Sequence, residues 1–174
     1  MHDWHLENGA TLYAAGLWHR PMIYGRTGET VEQAYVREAR AVRMGAGIVD
    51  VSTLGKIDIQ GPDAGKFLDR VYTNMFSILA VGKARYGLML REDGLVMAHG
   101  TTWRRGETHF LMTTTTANAG KVMQHLDYCL DCLWPDLKVH LTSVTDQGAG
   151  AAVGGPFARK VLENCVEGAR VDND

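Results

Sequence analysis

Apolar positions recur along the chain at helical and at strand spacing in turn. Val31, Tyr35, Ala39 and Val42 fall on one helical face and predict a helix over 31–44. Thr30-Val31-Glu32-Gln33 reads as its capping box: Thr30 accepts from an N–H three residues on, and Gln33 reaches back. Gly45 and Gly47 end that helix. Short strands are predicted at 48–51 and 56–60. Gly61-Pro62 breaks the second strand and opens a helix whose core face is Phe67, Leu68 and Val71. A meander follows, with strands at 85–91, 95–104 and 109–115. Its first two strands flank Asp93-Gly94, a strong hairpin dipeptide. From Asn118 a longer helix carries Val122, Leu126, Cys129, Leu130 and Leu133 as an amphipathic stripe, and Trp134-Pro135 stops it. Strands at 138–144 and 149–154 lead to a last helix from Phe157 to about Val166. The first 29 residues lack clear periodicity and read as an extended arm.

One internal echo shapes the expected fold. The stretch from Gly61-Pro62 through Ala64, Lys66 and Leu68 matches Gly155-Pro156 through Ala158, Lys160 and Leu162 in register. Gly-Pro starts helices well, which explains two of those positions but not the others. Two strand–helix–strand units related in this way suit an α+β fold with ferredoxin-like split βαβ elements.

Composition narrows the function classes. The 174 residues carry 18 basic and 20 acidic side chains without a basic block, so nucleic acid is not an expected partner. The apolar runs are far short of a membrane span, and the first residues do not read as a signal peptide. Three cysteines, an odd number, argue against a disulfide framework. The compartment is read as reducing and cytoplasmic.

The chemical motifs are weak. Cys129-x-x-Cys132 lies inside the predicted helix, with Cys129 on the apolar stripe, and reads as a structural thiol. His2-x-x-His5 lies at the terminus and reads as a frayed tail. Gly45-Ala46-Gly47 follows a helix and precedes a strand, the reverse of a dinucleotide loop. No nucleophile elbow is present. No residue is assigned to a metal.

A resemblance carries the reading further. A helix bearing Arg37 and Arg40, then Gly47-Ile48-Val49-Asp50-Val51-Ser52, Gly61-Pro62 and Thr73-Asn74, resembles the glycine-cleavage T-protein family of aminomethyltransferases. Thr53-Leu54-Gly55-Lys56-Ile57, the run from Arg85-Tyr86-Gly87 to Asp93-Gly94, and the threonines at 113–116 followed by Ala117-Asn118 are more particular. They look like the C-terminal region of heterotetrameric sarcosine oxidase alpha subunits. The resemblance implies a partial aminomethyltransferase-type folate-binding domain over 30–174, incomplete at its C-terminal side, behind an arm at 1–29.

It also implies a chemistry. In this family tetrahydrofolate accepts a one-carbon unit, and the protein supplies binding, orientation and electrostatics. In sarcosine oxidase a flavin held in other regions or subunits oxidises the N-methyl group of sarcosine. The implied cofactor-binding positions are Leu54, Tyr86, Thr101 and Trp103; Asp58 falls where T-proteins carry an apolar contact, and that role is not transferred. The family reads Asp-Asp where this chain has Ala98-His99. His99 thus stands at the catalytic position. A neutral imidazole can relay a proton, but it does not supply the negative charge of a carboxylate. The expected function is the tetrahydrofolate-binding module of a sarcosine oxidase-like complex, an enzyme component that acts with other subunits or with copies of itself. The alternative is a non-catalytic assembly module that keeps the fold without the acids.

Overall fold

The computed structural model describes residues 1–168. In chain order it begins with α1 (His2–Glu7), β1 (Ala10–Ala15), β2 (Trp18–Tyr24), α2 (Val31–Met44) and β3 (Gly47–Asp50). There follow β4 (Gly55–Gln60), α3 (Ala64–Val71), β5 (Ala84–Leu90), β6 (Val96–Gly106) and β7 (His109–Thr114). The last elements are α4 (Ala119–Tyr128), β8 (His140–Ser143), β9 (Ala151–Gly154) and α5 (Ala158–Cys165). The chain forms two compact units: one is Thr53–Gly148, and the other joins Met1–Ser52 to the stretch from Ala149 onward.

Thr53–Gly148 is built on a five-stranded sheet in the order β5-β6-β7-β4-β8. Each neighbouring pair is antiparallel, so β4 and β6 run parallel with β7 between them. The split βαβ elements are thus present, but the second strand–helix–strand run of this sheet is β7-α4-β8, whereas the Gly155-Pro156 copy of the echo lies in the other unit. Alternate residues of β4, β6 and β7 point to the two sides. Ile57, Ile59, Ala98, Phe110 and Met112 are buried, and they pack with Phe67, Leu68 and Val71 of α3 and Val122 and Leu126 of α4. Burying each large apolar side chain stabilises the fold by about 2–3 kcal/mol before entropy is counted.

The stripe on α4 holds to Cys129, which is buried, and Leu130, which packs against the core; only Leu133 leaves it. From Cys129 the helix widens into a π turn, in which Trp134 N donates to Cys129 O, five residues back, at 2.9 Å. The wider turn rotates Leu133 off the stripe, and Leu133 is exposed. Cys129 is buried, as read from the sequence, and Cys132 is exposed; both are free thiols.

The first unit corrects two expectations. Residues 1–29 are not an extended arm throughout: they hold α1 and the β1–β2 hairpin. Gly9 and Gly16, both with positive φ, make the turns, and a register shift between Thr11 and Leu12 breaks the alternation that a strand signal needs. The helix α2 forms with its capping box: Thr30 Oγ1 accepts from Gln33 N at 3.2 Å, and Gln33 Oε1 accepts from Thr30 N at 2.9 Å. Its inward face differs, however. Ala34 is buried, while Val31 and Tyr35 are exposed. Polar pairing orients this helix, since Glu38 accepts from Tyr24 N and Arg37 donates to Tyr24 O, each at 2.8 Å. Replacing Thr30 with Ala is expected to cost about 1 kcal/mol in chemical denaturation, and Thr30→Ser to keep most of it.

The repeated Gly-Pro stretches share a local geometry. Gly61 and Gly155 have φ of 140° and 105°. A Cβ at Gly61 would lie 2.1 Å from Lys138 O, and one at Gly155 2.4 Å from Val42 O. Each glycine therefore allows backbone to pass close by. Each also accepts from the N–H of the alanine that opens the next helix, Ala64 or Ala158. Ala64 and Leu68 are core residues, whereas Ala158 and Leu162 are only half-buried.

Candidate functional site: the open face of the five-stranded sheet

One side of the sheet is filled by α3 and α4. The opposite side carries exposed rings and polar groups. Tyr86 is 56% exposed and Trp103 48% exposed, so both rings are free to stack. Tyr86 points outward because its neighbour Gly87 faces the core. A Cβ at Gly87 would lie 2.8 Å from the Tyr72 ring and 3.0 Å from the Phe76 ring, which pack against the back of β5.

The register of β5 with β6 sets Tyr86 opposite Thr101, Leu88 opposite His99, and Ala84 opposite Trp103. Tyr86 Oη lies 2.7 Å from His99 Nδ1. The structure thus brings Tyr86, His99 and Thr101 together, with Trp103 two residues further along β6. Leu54 stands apart, in the turn before β4, with β7 and β6 between β4 and β5. Ala98 and His99 part company: Ala98 is buried in the core and His99 is exposed. Of the two positions where the resemblance puts acids, only 99 reaches the open face.

Thr113 stabilises the middle of this face. The backbone ladder between β6 and β7 runs up to Thr102 opposite Met112. Beyond it, Thr113 Oγ1 accepts from Thr101 N at 3.1 Å and donates to Thr101 O at 2.9 Å. A hydroxyl here takes the place of a backbone rung.

Two groups went unassigned in the sequence. Asp58 pairs with His109, Oδ1 to Nε2, at 2.5 Å, and accepts from Gln60 Nε2 at 2.5 Å. Burial pushes the Asp58 carboxyl up, but the hydrogen bonds from Gln60 and His109 outweigh it and hold it below its ordinary value. The register of β4 with β7, Gln60 opposite His109, is what joins these two residues. In the first unit, His5 is not a frayed tail. It is 4% exposed and bridges Tyr24 Oη (Nδ1, 2.7 Å) and Asp50 Oδ2 (Nε2, 2.8 Å). Burial also pushes Asp50 up, and hydrogen bonds from Ser52 and His5 reverse this and bring it down to about 2. Asp50 Oδ1 accepts from Ser52 N at 2.8 Å. Among the described residues, no group of three His, Cys, Asp or Glu side chains is placed to hold a metal ion. No helix among them is long and apolar enough to cross a membrane.

A split βαβ sheet occurs in many unrelated proteins, and a likeness over nearly the whole chain gives this one its class, an aminomethyltransferase-type fold. The chain superimposes on the glycine cleavage system aminomethyltransferase T of Bartonella henselae with a TM-score of 0.80 and 23% identity, covering 94% of this chain and 42% of that one. The family follows from the sequence itself. The model of the GCVT N-terminal domain matches residues 1–174, and the chain belongs to that family. It is 52% identical to sarcosine oxidase subunit alpha of Rhizobium meliloti (strain 1021), over 96% of this chain and 17% of that protein. Identity to the same subunit of Corynebacterium sp. (strain U-96) is 46%, over 100% of this chain and 18% of the relative. An aminomethyltransferase of Corynebacterium aurimucosum is 34% identical over 96% of this chain and 42% of its own length. The chain therefore spans under a fifth of the alpha subunits it matches and under half of the aminomethyltransferase.

Proposed function

We propose that this chain is the tetrahydrofolate-binding module of a sarcosine oxidase-like assembly, in which folate accepts the one-carbon unit released on oxidative N-demethylation. The observation that supports this reading most is the open sheet face with Tyr86, His99, Thr101 and Trp103 on adjoining strands. These residues fit such a group. Tyr86 and Trp103 offer ring surface to a planar heterocycle, and Leu88 adds an apolar border. Thr101 and His99 offer polar atoms within the same patch, and Leu54, in the turn before β4, stands outside it. When bound, tetrahydrofolate supplies the nitrogens that take up the one-carbon unit. The chain's own part is to hold the ring in place and keep water from one side of it. The flavin and the oxidation belong to other regions or subunits.

Calorimetry on the whole chain tests this. Tetrahydrofolate and folinic acid are expected to bind, and Tyr86→Ala to weaken both about tenfold, or ~1.4 kcal/mol. Absence of heat at millimolar ligand would sink the reading. One observation favours a second reading, a non-catalytic assembly module. Leu90, Leu95 and Val96 are exposed and extend the apolar surface around the hairpin that ends β5, an edge strand. Under that reading the chain associates with itself or with other subunits and binds no folate.

A further inference from the structure

We propose that Tyr86 fixes His99 in the tautomer that carries its hydrogen on Nε2, so that the open face presents a hydrogen-bond donor at position 99. Only the ligand named below rests on the folate reading; the tautomer concerns this chain's own side chains.

The pair is set by the backbone. With Leu88 directly opposite His99 and Tyr86 opposite Thr101, the tyrosine reaches His99 along the diagonal of the β5–β6 ladder. The contact is 2.7 Å from Oη to Nδ1, with ring centroids 5.7 Å apart and planes tilted by 32°. Leu88, the direct neighbour, has no polar side-chain atom to compete. A phenol O–H is a stronger donor than a neutral imidazole N–H, and an imidazole nitrogen is a stronger acceptor than a phenol oxygen. The shared proton therefore sits on Oη, and Nδ1 accepts. A neutral imidazole has one nitrogen-bound hydrogen, and with Nδ1 accepting, that hydrogen is on Nε2. Tyr86 thus acts as a positioning residue: it aims a donor by fixing the other end of the ring.

The polarity is the reverse of what the resemblance implies for this position. A carboxylate there only accepts. An Nε2–H meets a lone pair, such as a carbonyl oxygen carried beside the ring of the ligand. Two reduced folates separate the cases. 5-Formyltetrahydrofolate carries a formyl carbonyl on a ring nitrogen, while 5-methyltetrahydrofolate has the same ring and a methyl group there, which offers no carbonyl oxygen. The geometry points to a site that selects the formyl form.

The test has two arms. Long-range ¹⁵N–¹H correlation on the whole chain at mildly alkaline pH reads the tautomer directly. His99 is expected to show the Nε2–H pattern, and Tyr86→Phe to raise the Nδ1–H share at least about threefold, an effect the size of one exposed hydrogen bond. A wild-type His99 with its hydrogen on Nδ1 overturns the proposal, as does an unchanged ratio in Tyr86→Phe. In calorimetry the formyl compound is expected to bind about fivefold or more tighter than the methyl compound, within reach of one hydrogen bond, and His99→Ala to abolish the difference. Equal affinities overturn the donor role. If neither compound gives heat while the Nε2–H tautomer is seen, the folate reading falls and the Tyr86–His99 assignment stands.

Discussion

Replacing Gly100 with alanine is expected to unfold Thr53–Gly148 or to cost it about 4 kcal/mol or more, close to the whole stability of a small domain. A Cβ at Gly100 would lie 1.8 Å from Thr113 O and 3.2 Å from Thr114 Cα. Neither neighbour is the free end of a side chain. Both belong to β7, a strand held on its other side by six paired positions of β4. To admit one methyl group, β6 and β7 must part by more than an ångström, which breaks the exchange between the Thr113 hydroxyl and Thr101. Gly120→Ala is the matched control. A Cβ there meets nothing within 4 Å and sits in α4, so this change should be neutral or stabilise by up to ~1 kcal/mol. Denaturant titration of the two variants checks both directions. A Gly100→Ala protein as stable as the parent would show that the two strands lie further apart than described.

His5→Ala is expected to destabilise the first unit by about 2–4 kcal/mol. The imidazole joins Tyr24 Oη and the Asp50 carboxylate, and its removal takes a partner from both at once. The carboxylate is only 12% exposed, so water replaces that partner poorly. A pH signature accompanies the loss. Asp50 is held at about 2, below its ordinary 3.8, so its folded-state value is depressed. Its contribution is therefore present above about pH 4 and is lost as pH falls from there towards 2. In His5→Ala one of the hydrogen bonds that hold the carboxyl down is gone, and the acid limb of the stability curve should move to higher pH. Acid unfolding followed by circular dichroism reads both effects. Identical acid limbs for parent and variant would remove His5 from the account.

Much of the scaffold was legible because local signals set it. Gly61, Pro62, Asp93, Gly94 and the Thr30–Gln33 box act over two to four residues, and each stands where the sequence placed a turn or a helix start. The side chains of the site depend on register, which such signals do not carry. A shift in the β5–β6 ladder between Met89 and Leu90 pairs Leu90 with Val96 but Met89 with Ala98, so Met97 is the extra residue. Asn118 Nδ2 donates to the Met97 carbonyl at 3.1 Å and helps to satisfy that bulge. Without it Ala98 would face Leu88 on the open side, and His99 would turn into the core. One residue of slip thus decides which of the two departures from the family pattern lies beside Tyr86. The helix face of α2 was misread for a related reason: Arg37 and Glu38 hold it against the hairpin by polar bonds, which apolar periodicity does not report. His5 looked like a loose terminus because its partners, at 24 and 50, lie far off in sequence.

The strand pairing of the first unit also has a consequence in time. β3 pairs with β9, and Val51 N donates to Gly150 O at 2.9 Å, so this ladder closes only after all of Thr53–Gly148 has been made. During synthesis from the N-terminus, β3 therefore emerges well before its partner strand, with Ile48 and Val49 on an unpaired edge. The intervening stretch holds its complete five-stranded sheet and can fold while β3 waits. A ribosome that pauses before Gly150 would prolong the life of that unpaired edge.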